Sequence, residues 1–205
     1  MEKARLDLYS TSMKLFKNIK KWLENQEHLF YLFLLILIVP NIILCFTEPM
    51  PVVAKVCNVL LPFAFYYLLM TLSRNCGKMF WILFLFIFFG AFQIVLLYLF
   101  GQSIIAVDMF LNLVTTNSSE AMELLDNLVP ALVSVIILYI PALILAAISI
   151  IKKRKLSPEF IRRERKKAWI ALLIGFISLG AAYGLDKRYE LKSDLYPANV
   201  CYNVA

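Results

Sequence analysis

The sequence predicts an all-α, polytopic membrane protein with five transmembrane helices, the N-terminus inside and the C-terminus outside, plus short amphipathic interfacial helices. Three observations carry this. The 205 residues are 61% hydrophobic and 17% charged, with a mean hydropathy of +0.76, well above the roughly 45–50% apolar content of soluble domains. The apolar residues fall in blocks of about twenty rather than at helical or strand periods, so lipid and not a water-excluded core must cover them. The positive charge is gathered in alternate connections between those blocks.

Apolar runs occupy 29–46, 52–72, 79–100, 128–151 and 168–185. As helices they reach roughly 27–36 Å, enough for the ~30 Å hydrocarbon layer, and unpaired backbone is too costly in lipid for them to be anything else. The first run is not read as a cleaved signal peptide, because its basic leader is long and no A-x-A site follows. It is expected to remain in the mature chain. Orientation follows from Lys and Arg. Six precede the first run, Arg74 and Lys78 join the second and third, and nine lie between Lys152 and Lys167, giving seventeen against Lys55, Lys187, Arg188 and Lys192 on the opposite side. Cytoplasmic segments retain such charge. The net charge of +7 is therefore a matter of topology, and nucleic acid is not expected as a partner.

The chain divides into a cytoplasmic amphipathic segment (1–27), a membrane domain (28–185) with an outer loop at 101–127, and an outward tail (186–205). In the first, Met13, Phe16, Ile19 and Leu23 recur at helical spacing while Lys14, Lys17, Lys20 and Lys21 take the other face, the pattern of a helix lying on an anionic leaflet. Pro40, Pro62, Pro130 and Pro141 fall within the spans and can kink them. Gly180-x-x-x-Gly184 offers a smooth face for close helix contact.

Several chemistries lack material. His28 is the only histidine and stands at a polar-to-lipid boundary, and the four cysteines, Cys45, Cys57, Cys76 and Cys201, form no C-x-x-C pair. No metal site is expected in this chain. The six glycines, at 77, 90, 101, 175, 180 and 184, do not make a phosphate-binding loop. Lys55 is the one full charge near a span interior and sits close enough to the outer end to snorkel. A transporter built on paired repeats is disfavoured by the odd span count.

The outer loop is where specific chemistry could be held. It contains no Lys or Arg, but carries Asp108, Asn112, Thr116, Glu120, Glu123 and Asp126. Asp108, Asn112 and Thr116 follow at i, i+4 and i+8 as a polar stripe, while Val107, Phe110, Leu111 and Val114 supply an apolar side. Asn117-Ser118-Ser119-Glu120 reads as a helix start, with Asn117 as cap and Glu120 bonding back to the cap amide. Two short amphipathic helices meeting at Thr116 and Asn117 would result. On this reading Glu120 is a capping-box carboxylate.

The stretch Asp108-Met109-Phe110-Leu111-Asn112-Leu113-Val114-Thr115-Thr116 followed by Glu120-Ala121-Met122-Glu123-Leu124-Leu125 resembles the outer loop of lipid A phosphoethanolamine transferases, which include the colistin-resistance enzymes. Tyr196-Pro197-Ala198-Asn199 after the last span and the five-span plan also resemble that family. The resemblance implies that Asn112, Thr116 and Glu120 bind the phosphoethanolamine headgroup of a phospholipid donor, phosphatidylethanolamine, at the periplasmic face of a bacterial inner membrane. Glu120 would pair with the ammonium while Asn112 and Thr116 hydrogen-bond phosphate or ester oxygens. Lipid A would be the acceptor and polymyxin resistance the outcome. Members of that family continue into a soluble periplasmic catalytic domain with a threonine nucleophile and bound zinc. The tail here, 186–205, has no histidine, so the chain alone is expected to bind and orient lipid without transferring the group. The competing expectation is a non-enzymatic five-span scaffold or lipid-binding protein.

Overall fold

The computed structural model describes residues 13–15, 17–47, 49–100, 118–185, 189–190 and 195–198, with 96–100 and 118–128 described in their backbone only. Beyond a helical stretch at 13–15 and 17–24, the helices are α1 (Gln26–Thr47), α2 (Val52–Met70), α3 (Cys76–Ile82), α4 (Phe84–Phe100), α5 (Ser118–Ile151) and α6 (Pro158–Leu185). Among the described residues there is no strand. Four helices are long and apolar enough to cross a membrane, and a fifth crossing follows if α3 and α4 form one bent span.

Helix starts are set by local chemistry. The Asn25 side chain accepts from the Glu27 amide at 2.9 Å, and the Asn75 side chain accepts from the Lys78 amide at 2.7 Å as the N-cap of α3. Ser157 Oγ accepts from the Phe160 amide at 3.1 Å, and Pro158 follows as the first helical residue of α6, where no amide is needed. This cap carries α6 through Arg162–Lys167 before its apolar part, so the helix starts ten residues ahead of the expected span at 168. Pro40, Pro62, Pro130 and Pro141 all lie inside helices.

Helix α1 is central. Its apolar window is 56% buried, against 17% for that of α6. On one side α2 packs along α1 and α6 packs on α2; on the other, α3 and α4 pack against α5. Phe33 stacks on Phe80 with ring centroids 4.4 Å apart, joining α1 to α3, and Phe30 meets Phe160 edge-on, joining α1 to α6.

The run expected at 79–100 is two helices meeting at 61°. The break is at Leu83, which is neither proline nor glycine, the usual sequence marks of a kink. The amides of Leu83 and Ile87 still bond the carbonyls of Met79 and Leu83 at 3.0 and 3.1 Å, so these groups stay paired at the bend, as lipid demands. The smooth face expected at Gly180 and Gly184 meets no other part of the described chain within 4 Å. Close helix contact is made instead at Gly77, where a Cβ would stand 2.3 Å from the Ala146 carbonyl oxygen of α5.

Hydrogen bonds sort the connections to two ends. At one, which we call the basic end, the Leu156 amide donates to the Arg74 carbonyl at 2.7 Å, and Arg154 reaches Glu24. At the other, the tail end, Cys45 donates to the Lys55 carbonyl at 3.3 Å and the segment after α6 folds back on α1 and α2. Gly77→Ala places a methyl group against a backbone carbonyl that cannot move alone. It is expected to cost about 1–3 kcal/mol, read as a lowered thermal midpoint of the detergent-purified protein.

Candidate functional site

Asn112 and Thr116 lie outside the described residues. Glu120 is the third residue of α5, in the turn whose free amides and dipole favour a carboxylate. The helix it begins does not stop before the span, as the expected second short amphipathic helix would. It runs unbroken for 34 residues to Ile151. Ala121, Met122, Glu123, Leu124 and Leu125 are all good helix formers with no glycine or proline before Pro130, so nothing ends the helix there. Glu120 stands nine residues ahead of Val129, where the membrane-spanning window begins, about 13 Å at helical rise.

The tail end is closed by residues after α6. Tyr189 and Leu195 are buried and Tyr196 is wholly so. The Tyr189 hydroxyl donates to Asn58 Oδ1 at 2.7 Å on α2, and Asn41 Nδ2 on α1 donates to the Tyr196 carbonyl at 2.6 Å. The Tyr196 hydroxyl donates to the Phe86 carbonyl of α4. One short segment is thereby bonded to three helices. Gly90 makes room for it: a Cβ there would lie 2.9 Å from Pro40 and 3.1 Å from the hydroxyls of both Tyr139 and Tyr196.

One turn along α4 from Gly90 is Gln93, 1% exposed, with no hydrogen-bond partner among the described residues for either amide atom; the Tyr139 hydroxyl and Asn41 Oδ1 are likewise without one there. Each is an uncharged group inside an apolar bundle, the amide and the hydroxyl able to donate and to accept and Asn41 Oδ1 to accept. Among the described residues no group of three His, Cys, Asp or Glu side chains could hold a metal ion. The polar residues here were not singled out by sequence, because an isolated Asn or Gln within an apolar run shows its face only once the helices are packed.

The basic end carries a second network. Glu164 is wholly buried and accepts from Arg163 Nε at 2.8 Å, from Lys167 Nζ at 3.0 Å and from the Tyr67 hydroxyl of α2. It clamps α6 to α2 while being flanked by two cations, the condition under which a buried carboxylate is tolerated. Arg165 Nη2 donates to the Thr71 carbonyl at 2.7 Å, and Asn75 Nδ2 to the Arg154 carbonyl at 2.8 Å. Thr71 closes α2, so Arg165 satisfies a helix end and complements its dipole. The available signal was the single acid within Arg162-Arg163-Glu164-Arg165-Lys166-Lys167. His28 stacks on Trp22 with ring centroids 4.8 Å apart.

No family model, no curated protein and no solved structure matches the chain. The functional reading therefore rests on its own residues.

Gln93→Leu replaces an amide without partners by an apolar side chain of similar length, and is expected to leave the thermal midpoint unchanged or raised. A fall equivalent to more than about 1 kcal/mol would mean that the amide is bonded in the membrane. Tyr196→Ala removes a wholly buried ring and is expected to cost about 3–5 kcal/mol, with trypsin cutting faster at Lys187, Arg188 or Lys192.

Proposed function

We propose that this chain is the membrane module of a phosphoethanolamine transferase. It anchors the enzyme in the bacterial inner membrane and holds the headgroup of phosphatidylethanolamine for transfer to lipid A. The observation that carries the reading is the spacing Asn112-x-x-x-Thr116-x-x-x-Glu120 in a loop free of Lys and Arg. Two features of the fold support it. Glu120 lies in the first turn of a helix, and the tail motif around Tyr196 is bonded into the end of the bundle from which that helix starts.

The chemistry follows from charge. A carboxylate pairs with the primary ammonium of the donor through charge-assisted hydrogen bonds. Asn112 and Thr116 offer neutral donors to phosphate oxygens, adding no charge that would repel them. The basic end faces the cytoplasm in this reading, and the tail end faces the periplasm, where the donor's outer-leaflet headgroup lies. Transfer itself belongs to a periplasmic catalytic domain of the family's kind, with its threonine nucleophile and zinc. A non-enzymatic lipid-binding scaffold is the alternative.

Glu120→Gln is the discriminating substitution, because glutamine serves in a capping box as well as glutamate but cannot pair with an ammonium. The wild-type protein is expected to retain phosphatidylethanolamine several-fold over phosphatidylcholine in native mass spectrometry, and Glu120→Gln to abolish that preference at unchanged thermal stability. Equal retention by the wild type, or an undiminished preference in the variant, would refute the assignment. The orientation is checked with Thr116→Cys in a background with the native cysteines replaced by serine. An impermeant maleimide is expected to label it from the periplasmic side, and labelling only after lysis would reverse the topology.

A further inference from the structure

At the basic end, between the N-terminal helical stretch and the last turns of α5, lies an open groove of about 240 Å³. Its walls are Ile19 and Leu23 on one side and Leu145 and Ile148 on the other, and Leu23 and Leu145 are continuous with the main hydrophobic core. Its rim is charged. Lys20, Lys152 and Arg154 contribute three cations and Glu24 one anion. Glu24 is engaged, since Arg154 Nη2 stands 4.0 Å from its carboxylate and Arg154 Nη1 donates to its backbone carbonyl at 3.3 Å. That pair ties the N-terminal helix to the segment after α5 and closes one side of the groove. Lys20 and Lys152 are exposed and left with a net charge of two to offer.

We propose that this groove is a binding site for an anionic phospholipid of the leaflet at the basic end. The phosphate sits between Lys20 and Lys152, and the start of an acyl chain lies on Ile19, Leu23, Leu145 and Ile148. The argument is complementarity of two kinds in one place. A soluble anion would use the rim and leave the apolar walls wet, whereas a neutral lipid would cover the walls and leave two ammonium groups without a counter-charge. Only an anionic amphiphile satisfies both. The volume falls below the roughly 300–1,000 Å³ of sites that enclose a drug-sized molecule, which suits a headgroup and the first methylenes of a lipid whose remaining chain stays in the bilayer. The site lies at the opposite end of the bundle from Glu120 and is independent of the proposed transferase reading. Its occupancy would hold the N-terminal helix against α5, adding to the weak exposed pair between Glu24 and Arg154.

The test compares phosphatidylglycerol with phosphatidylcholine, each titrated into the detergent-purified full chain and read by native mass spectrometry. The wild type is expected to retain phosphatidylglycerol preferentially. Because a cation near a membrane surface contributes about fivefold to anionic-lipid affinity, Lys20→Ala with Lys152→Ala is expected to weaken retention roughly 30-fold. Lys14→Ala with Lys17→Ala removes the same charge from the same helix outside the groove and is expected to leave retention within about twofold of wild type. Ile148→Trp fills the groove while keeping every charge, and is expected to expel the lipid. Equal loss in both lysine pairs would reduce the site to diffuse surface charge and overturn the proposal. So would undiminished binding in Ile148→Trp, or displacement of the lipid by inorganic phosphate or an acidic peptide at equal concentration.

Discussion

Backbone amides and carbonyls placed in hydrocarbon have no water to bond, and each must find its partner within the chain. That requirement dictates helices wherever the sequence is apolar for about twenty residues. It leaves the ends of those helices as the places where polar side chains concentrate. The same constraint explains the local behaviour at Leu83, where the axis turns by 61° while the amides on either side remain bonded. It also explains why cations and amides at the basic end are aimed at carbonyls. Arg165 bonds Thr71, Arg74 Nε bonds Leu156, and Asn75 bonds Arg154. The cations gathered in the connections at the basic end also close helix ends there.

Within this frame α1 organises the packing. A helix with over half of its apolar window buried packs against α2 on one side and against α3, α4 and α5 on the other. Its aromatic rings at Phe30 and Phe33 reach both groups. Lipid tails are as apolar as leucine, so burial alone cannot drive such association; close contact and interhelical hydrogen bonds must contribute. Gly77 against Ala146 is a contact of the first kind, and Tyr67 with Glu164 is one of the second.

Hydropathy alone revealed the spans because a run such as Leu29–Phe46 admits few alternatives. The ends were less legible. The ten residues that extend α6 backwards are rich in Arg and Lys, and only the Ser157 and Pro158 pair signals that they are helical. Partner choice was not legible at all. Gly180 and Gly184 have the spacing of a contact face and meet no described residue within 4 Å, whereas the isolated Gly77 lies against a neighbouring backbone. The residues expected to bind a headgroup rested on motif spacing, and of these only Glu120 falls on a described helix. Glu164, Gln93 and Tyr139 were missed because each becomes distinctive through the residues opposite it, which periodicity within one segment does not report.

The buried ring of Tyr196 also sets a leash. From Leu185, where α6 ends, to Tyr196 is eleven residues, about 38 Å if fully extended. Within that stretch the chain is held twice, by Tyr189 on α2 and by Tyr196 on α1 and α4. Tension on the chain beyond Tyr196 would therefore be borne by α1 and α4 and not by the last turn of α6. Withdrawing the Tyr196 ring would move the anchor back only seven residues, to Tyr189 on α2, about 24 Å of extended chain.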